Sequence, residues 1–266
     1  MRAARLSPAR RRVRVLALLT VPALLSLAAC ASNPSDSLKP PANDLCRVLT
    51  LADLSARTNN SHQVPCGSPH TAQTFKIATF PPSVSKDYQA ATVGAYAYKI
   101  CAPAFESYLG ATDSLVLRVQ LSWAWFGPTT SAWKRGARWF RCDVVGSPQD
   151  QSSMTDIPST LVDLLIGFPP DRWLTCATGS VFSTRSEVSC AQPHTWRAVT
   201  AIKLGQPDDP YPGDHISQIR ANNYCSDAIA AYFGYANTYE YGYTVFHAAE
   251  WKAGNRRAVC WAKTSK

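Results

Sequence analysis

The sequence predicts an α+β protein made of two tandem copies of a small disulfide-braced unit, each an antiparallel sheet with one packed helix. Three observations point there. Eight cysteines divide into two sets of four, short motifs recur between the halves in one order, and each half alternates strand-like and helix-like stretches. Composition permits it: of 266 residues, 46% are hydrophobic and 17% charged, a globular balance with enough apolar side chains for two cores.

After Cys30 the cysteines are Cys46, Cys66, Cys101 and Cys142, then Cys176, Cys190, Cys225 and Cys260. Both middle intervals are 35 residues, while the others differ as loops on a common framework do, 20 against 14 and 41 against 35. Cys66-Gly67-Ser68-Pro69-His70-Thr71 matches Cys190-Ala191-Gln192-Pro193-His194-Thr195. Phe105, Tyr108, Leu109 and Gly110 follow Cys101 at the offsets at which Ile229, Tyr232, Phe233 and Gly234 follow Cys225. Trp133-Lys134, Gly136 and Arg138 before Cys142 recur as Trp251-Lys252, Gly254 and Arg256 before Cys260.

Residues 1–29 read as an export signal, with a basic start (Arg2 to Arg14) and a 15-residue apolar stretch, short for a membrane span of about 20. The signal ends in Leu27-Ala28-Ala29-Cys30, which resembles the lipobox of bacterial lipoproteins and marks Cys30 for acylation. Two or three acyl chains would anchor the protein stably, at about 0.8 kcal/mol per buried methylene. Six of the arginines behind the net charge of +9 fall in this signal, and without them about +3 remains, so the charge gives no case for nucleic-acid binding. Residues 30–43, rich in Ser, Pro and Asn, read as a flexible tether reaching about 40 Å.

The first unit is expected at 44–146, a linker at 147–170 and the second unit at 171–266. Residues 71–80 and 195–204 follow the Pro-His turns as half-buried strands. A helix follows each. In the second unit Asp214 is the expected N-cap, Ile216, Ile219, Cys225, Ile229 and Tyr232 the inward face, and Gly234 the stop. In the first, Pro103 is expected to kink or break the helix. Strands return at 115–126 and 239–246, the latter with Tyr239, Tyr241 and Tyr243 on one face, and a last strand carries Cys142 or Cys260. The apolar stretch 161–166 fits either unit.

Four cysteines in each exported unit argue for two disulfides per unit. Three pairings are possible. First with fourth and second with third is the expected one, because it would clamp the unit's ends and pin the helix to the Pro-His turn. No Cys-x-x-Cys pair or paired-histidine spacing supports metal binding or thiol exchange, and neither metal nor cofactor is expected.

The combination of Cys-x-x-Pro-His opening a strand, a helical cysteine 35 residues on, and Trp-x-x-Gly-x-Arg before a final cysteine resembles the septum-formation domain of bacterial envelope proteins. The likeness covers residues 45–145 and again 173–263. It implies a membrane- or lipid-anchored protein linked to septum formation, with no established reaction. The family pattern usually has an acidic residue three positions after the Pro-His histidine. Here those positions hold Gln73 and Arg197.

Polar residues needed by the unit itself should recur in both copies, and the recurring set is short: His70/His194, Thr71/Thr195, Tyr108/Tyr232, Lys134/Lys252 and Arg138/Arg256. No carboxylate recurs in these motifs, and no nucleophile elbow, zinc-protease helix or phosphate loop is present. The histidines are expected to fix their turns by bonding backbone carbonyls, with ligand contact and catalysis as the alternatives. Trp133 with Arg138, and Trp251 with Arg256, are expected to stack as ring and cation, with binding as the alternative. Aromatic stretches at Trp123, Trp125 and Phe126, and at Tyr235, Tyr239, Tyr241 and Tyr243, are expected to pack against helices rather than stack on sugars. The expected function is a non-enzymatic lipoprotein outside the cytoplasm, binding envelope or septal proteins or wall polymer. The alternative is an envelope enzyme acting on peptidoglycan or glycan through His70 or His194.

Overall fold

Each half forms a five-stranded antiparallel sheet, and the two sheets share one strand order. The computed structural model describes residues 34–84, 86–148, 154–183, 185–206 and 208–264, so the export signal and Cys30 lie outside the described residues. The first half runs β1 (Cys46–Arg47), α1 (Leu51–Leu54), β2 (Gln63–Val64), β3 (Ala72–Thr79), α2 (Ala91–Leu109), β4 (Leu121–Phe126), α3 (Thr130–Lys134) and β5 (Trp139–Gly146). The second runs β6 (Thr175–Gly179), β7 (Arg185–Ser189), β8 (Trp196–Lys203), α4 (Asp214–Tyr232), β9 (Tyr241–Val245), α5 (Ala248–Ala253) and β10 (Arg257–Lys263). The orders are β2-β1-β3-β5-β4 and β7-β6-β8-β10-β9. The copies agree even in an irregularity. One extra residue bulges from the central strand at Phe75 and at Val199, each nine residues after the Pro-His cysteine.

Four disulfides form, but not in the expected pairing. Cys46 joins Cys66, Cys101 joins Cys142, Cys176 joins Cys190 and Cys225 joins Cys260. Strand order gives the reason. β3 lies between β1 and β5, so Cys46 and Cys142 stand two strand spacings apart, about 10 Å, beyond the reach of a disulfide of about 7 Å between Cα atoms. Cys101 and Cys225 instead sit mid-helix against the sheet, beside Cys142 and Cys260, and all four are fully buried.

Both long helices bury a strict every-fourth-residue row: Val93, Ala97, Cys101, Phe105 and Leu109 in α2, and Ser217, Ala221, Cys225 and Ile229 in α4. The inward face expected for α4 is therefore partly wrong. Ile216, Ile219 and Tyr232 are exposed, because the small side chains of Ser217 and Ala221 let the helix approach the sheet along a neighbouring row. Gly213 is the N-cap and Asp214 the first helical residue. Pro103 does not break α2, since it lies on the exposed face, where losing one backbone hydrogen bond is least damaging. Gly110 and Gly234, at φ 65° and 63°, end the helices at equivalent positions.

The expected strand 115–126 starts only at Leu121. Before it, Leu115–Arg118 is a 3₁₀ turn opened by Thr112, whose hydroxyl accepts the Leu115 amide at 3.2 Å. This segment joins the halves. Beyond Arg197 the outer edge of β8 has no strand partner among the described residues, and Ser114 Oγ accepts the Ala201 amide there at 2.8 Å. Asp113 pairs with Arg257, Leu117 packs on the second core, and the Gln120 amide donates to Trp173 O at 2.8 Å. Trp173 in turn packs into the first core. On the same seam, a Cβ on Gly254 would stand 2.6 Å from the Tyr98 ring.

Stretch 161–166 belongs to the first half, with Leu161 and Leu165 buried beside Phe105 and Leu109. The expected tether is seated from its fourth residue past Cys30. Pro34–Asp36 forms a 3₁₀ turn, Ser35 is buried with its hydroxyl on Asn59 O at 2.6 Å, Asp36 pairs with Arg135, and Trp139 Nε1 donates to Ser37 O at 2.9 Å.

Beneath that seat lies a buried charge network. Asp143 accepts from Thr74 Oγ1 at 2.7 Å and from Arg141 Nε at 2.8 Å, Arg47 donates to Thr74 Oγ1 at 2.8 Å, and Arg141 reaches Asn59 Oδ1 at 2.9 Å. Burial, with Arg141 nearby, lowers the Arg47 guanidinium to about 10, against the pull of Asp143. The second half has Ala177, Ala198, Val259 and Trp261 at the positions equivalent to Arg47, Thr74, Arg141 and Asp143, and they form an apolar cluster.

Peptide mapping without reduction should recover the four neighbouring-cysteine links, and a Cys46–Cys142 link would contradict the fold. Cys101→Ser should lower stability by about 3–4 kcal/mol on the loop-closure account, measured by denaturant unfolding. Gly136→Ala and Gly254→Ala both force a side chain to positive φ, at 103° and 119°, but only Gly254 faces a neighbouring ring. Gly254→Ala should therefore destabilise more than Gly136→Ala, and equal losses would remove Tyr98 from the seam.

Candidate functional site

The recurring histidines sit in matching turns. Each Nδ1 lies 2.8 Å from the carbonyl two residues earlier, Ser68 O for His70 and Gln192 O for His194. A carbonyl only accepts, so Nδ1 carries a proton and donates it, and Nε2 is the ring nitrogen left for other partners. Both rings are buried, and His70 Nε2 has no hydrogen-bond partner among the described residues. Nearby, Gln73 is buried and Arg197 pairs with Asp171 at 2.8 Å.

The Trp-Arg pairs form as cation–ring stacks. Arg138 Cζ is 4.2 Å from the Trp133 ring centre, and its Nη1 donates to the carbonyls of Trp133 and Ala137 at 2.7 Å. Arg256 Cζ is 5.5 Å from Trp251, and Trp251 Nε1 and Arg256 Nε both donate to Asp209 O, at 2.9 and 3.3 Å. A tyrosine ahead of the long helix completes each pair: Tyr88 lies parallel to Trp133 at 4.2 Å, and Tyr211 meets Trp251 edge-on at 5.5 Å. Both tryptophans are buried, so these stacks close the helix–strand corner.

Histidine and stack do not meet. The Pro-His turn precedes Ala72, which faces Val145 at one end of the β3–β5 pair, while Thr79 faces Trp139, just past Arg138, at the other. The second half repeats this separation, with Trp196 opposite Lys263 and Lys203 opposite Arg257.

The aromatic stretches mostly pack inward. Phe126 is buried, Trp123 and Trp125 pack partly on the first core, and Tyr239, Tyr241 and Tyr243 lie against α4 and β10, whereas Tyr235 is exposed. A hollow of about 480 Å³ beside edge strand β4 is nonetheless lined by Trp123, Trp125 and Arg57.

A larger cleft, about 630 Å³, opens along the seam between α2 and the α5–β10 corner. Tyr98, Lys99, Lys203, Lys252, Arg256 and Arg257 line it, with Asp208 as the acidic lining residue. Of these, Lys252 and Arg256 belong to the recurring set. Lys99, Lys203 and Arg257 carried no signal, because only the docking of the halves gathers them. Burial holds the Glu106 carboxyl above its usual range, reinforced by Asp113 and opposed by Arg257 and Lys203. Among the described residues no three His, Cys, Asp or Glu side chains gather as a metal ligand set.

A further cluster joins the starts of α4 and α5. Asp214 Oδ1 lies 2.8 Å from His247 Nδ1 and also accepts from the Tyr211 hydroxyl. The hydrogen bond it donates to Asp214 raises the His247 imidazole above its ordinary value, while those Asp214 accepts from Tyr211 and then His247 lower its carboxyl. The histidine's stabilisation is full below about pH 6.5 and is lost as pH rises through its raised value. The aspartate's is present above its ordinary range and lost as pH falls through its lowered value. NMR titration should place His247 above 6.5, with Asp214→Asn returning it there, and an unshifted His247 would contradict the pairing.

The family model described as septum formation matches residues 45–260 in one span that takes in both sheets and the seam between them. No curated protein and no solved structure matches the chain. With the two motif sets at equivalent places in both halves and the match running across most of its length, the chain belongs to the septum-formation family.

Proposed function

We propose that this septum-formation family member is exported, acylated at Cys30 and held outside the cytoplasm on the cell membrane as a non-enzymatic binder of envelope or septal proteins or of wall polymer. The lipobox-like end of residues 1–29 supports the anchor. The seated turn at Pro34 supports a leash shorter than the about 40 Å of a free segment to residue 43. Among the described residues no helix is long and apolar enough to cross a membrane.

One observation carries binding over catalysis. The recurring histidines and arginines are engaged in structure, with the histidines buried on backbone carbonyls and the arginines stacked on buried tryptophans at the far end of the sheet. For either Pro-His histidine to act as general base it would have to reach substrate and pair with a second ionisable group, and neither turn supplies that arrangement. The buried, unpartnered His70 Nε2 is the observation that favours the enzymatic reading.

Cys30→Ser should abolish metabolic labelling by palmitate and shift the protein from the membrane fraction to the soluble extracytoplasmic fraction. Unchanged fractionation would refute the anchor. Turnover of purified wall material by the wild type, lost in His70→Ala or His194→Ala with folding intact, would overturn the non-enzymatic reading.

A further inference from the structure

Once the export signal is set aside, the chain carries an excess of only about three positive charges, yet five cationic side chains converge on the seam cleft. Two acids near them are committed. Asp113 pairs with Arg257 and lies 3.9 Å from Lys203, and Glu106 is half-buried behind them. Lys99, Lys252 and Arg256 have no carboxylate within ion-pair distance among the described residues, and Asp208 is the lining acid left to oppose them. The Tyr98 hydroxyl and the Gln206 amide are neutral hydrogen-bonding groups of the lining.

Shape narrows the ligand further. The cleft shares Lys203, Gly205 and Gln206 with a second hollow of about 350 Å³, lined also by Arg220, Tyr224 and the acid Asp209, so the lining continues as a groove in which cations outnumber acids. A single buried anion would need an enclosed pocket. A flat bilayer would meet the exposed lysine tips but not Tyr98 or Arg257 in the concavity. A flexible chain with repeated anionic groups can lie along the groove and meet the cations in turn.

We propose that this groove binds a phosphodiester-bearing wall polymer, with Lys99, Lys203, Lys252 and Arg256 contacting successive phosphates. The assignment deepens the binder reading above and takes the compartment of its ligand from it. The two halves form the site jointly: Lys99 comes from α2 of the first, and the other three come from β8 and the α5–β10 corner of the second.

The test is calorimetric titration of the acylated protein, in neutral detergent, with oligomeric poly(glycerol phosphate). Saturable binding that weakens as salt rises is expected. Lys99→Glu with Lys252→Glu, both exposed, should weaken it at least about tenfold, while Lys134→Glu, the first-half counterpart of Lys252, should leave it unchanged. Circular dichroism of each variant checks that the fold survives. Absent binding at low salt, or equal affinity in the double variant, would overturn the proposal. So would equal or tighter binding of soluble short-chain phosphatidylglycerol, or of a single-stranded oligodeoxynucleotide, with the same sensitivity to the double variant. If polymer binding fails while Cys30-dependent anchoring persists, the groove assignment falls and the envelope reading stands. If anchoring fails while the polymer binds, the reverse holds.

Discussion

Ser114 Oγ against the Ala201 amide, with Asp113 beside it on Arg257, is the contact on which the rest of the architecture depends. A duplicated sheet leaves half of its central strand's outer edge unpaired in each copy, and an unpaired amide edge either pairs with something or invites association. In the second half the first half's own 3₁₀ turn takes that edge. The seam then carries Trp173 into the first core, brings Tyr98 against Gly254, and sets Lys99 of α2 beside the cations of the second half's α5–β10 corner. A family match that runs unbroken across both sheets fits a unit whose surfaces are completed only by docking.

The copies keep one face of the sheet alike and have diverged on the other. Toward the helix, a buried disulfide, an every-fourth-residue row and a glycine stop recur at equivalent offsets. Away from the helix, the first half buries two arginines on one aspartate while the second buries Ala177, Ala198, Val259 and Trp261. Buried ion pairs are weak sources of net stability, and well-packed apolar residues often replace them without loss. What the network does supply is direction. Through Asn59 it ties the sheet to Ser35, so the chain leaves the first half at a defined place.

Cysteine spacing, the Pro-His turns and the Trp-x-x-Gly-x-Arg corner were legible because each is local and occurs twice. Internal comparison could find such features without an alignment. The same comparison passes over the Arg47, Arg141 and Asp143 network, since nothing in the second half repeats it. The disulfide pairing is not legible in the spacing, which says nothing of which strand lies between two cysteines. The α4 face departs from its apolar pattern because the isoleucines flank a row of small residues that allows closer approach. The groove was invisible for a different reason: Lys99 and Lys252 are 153 positions apart and become neighbours only when the halves dock.

Denaturant unfolding followed separately in each half, by hydrogen exchange of amides in β3 and β8, tests most directly that the two copies are welded into one body. The account predicts coincident transitions, with the Ala201 amide protected to the same global free energy as the sheet cores. Two separated transitions, or an Ala201 amide that exchanges like an open edge, would contradict it.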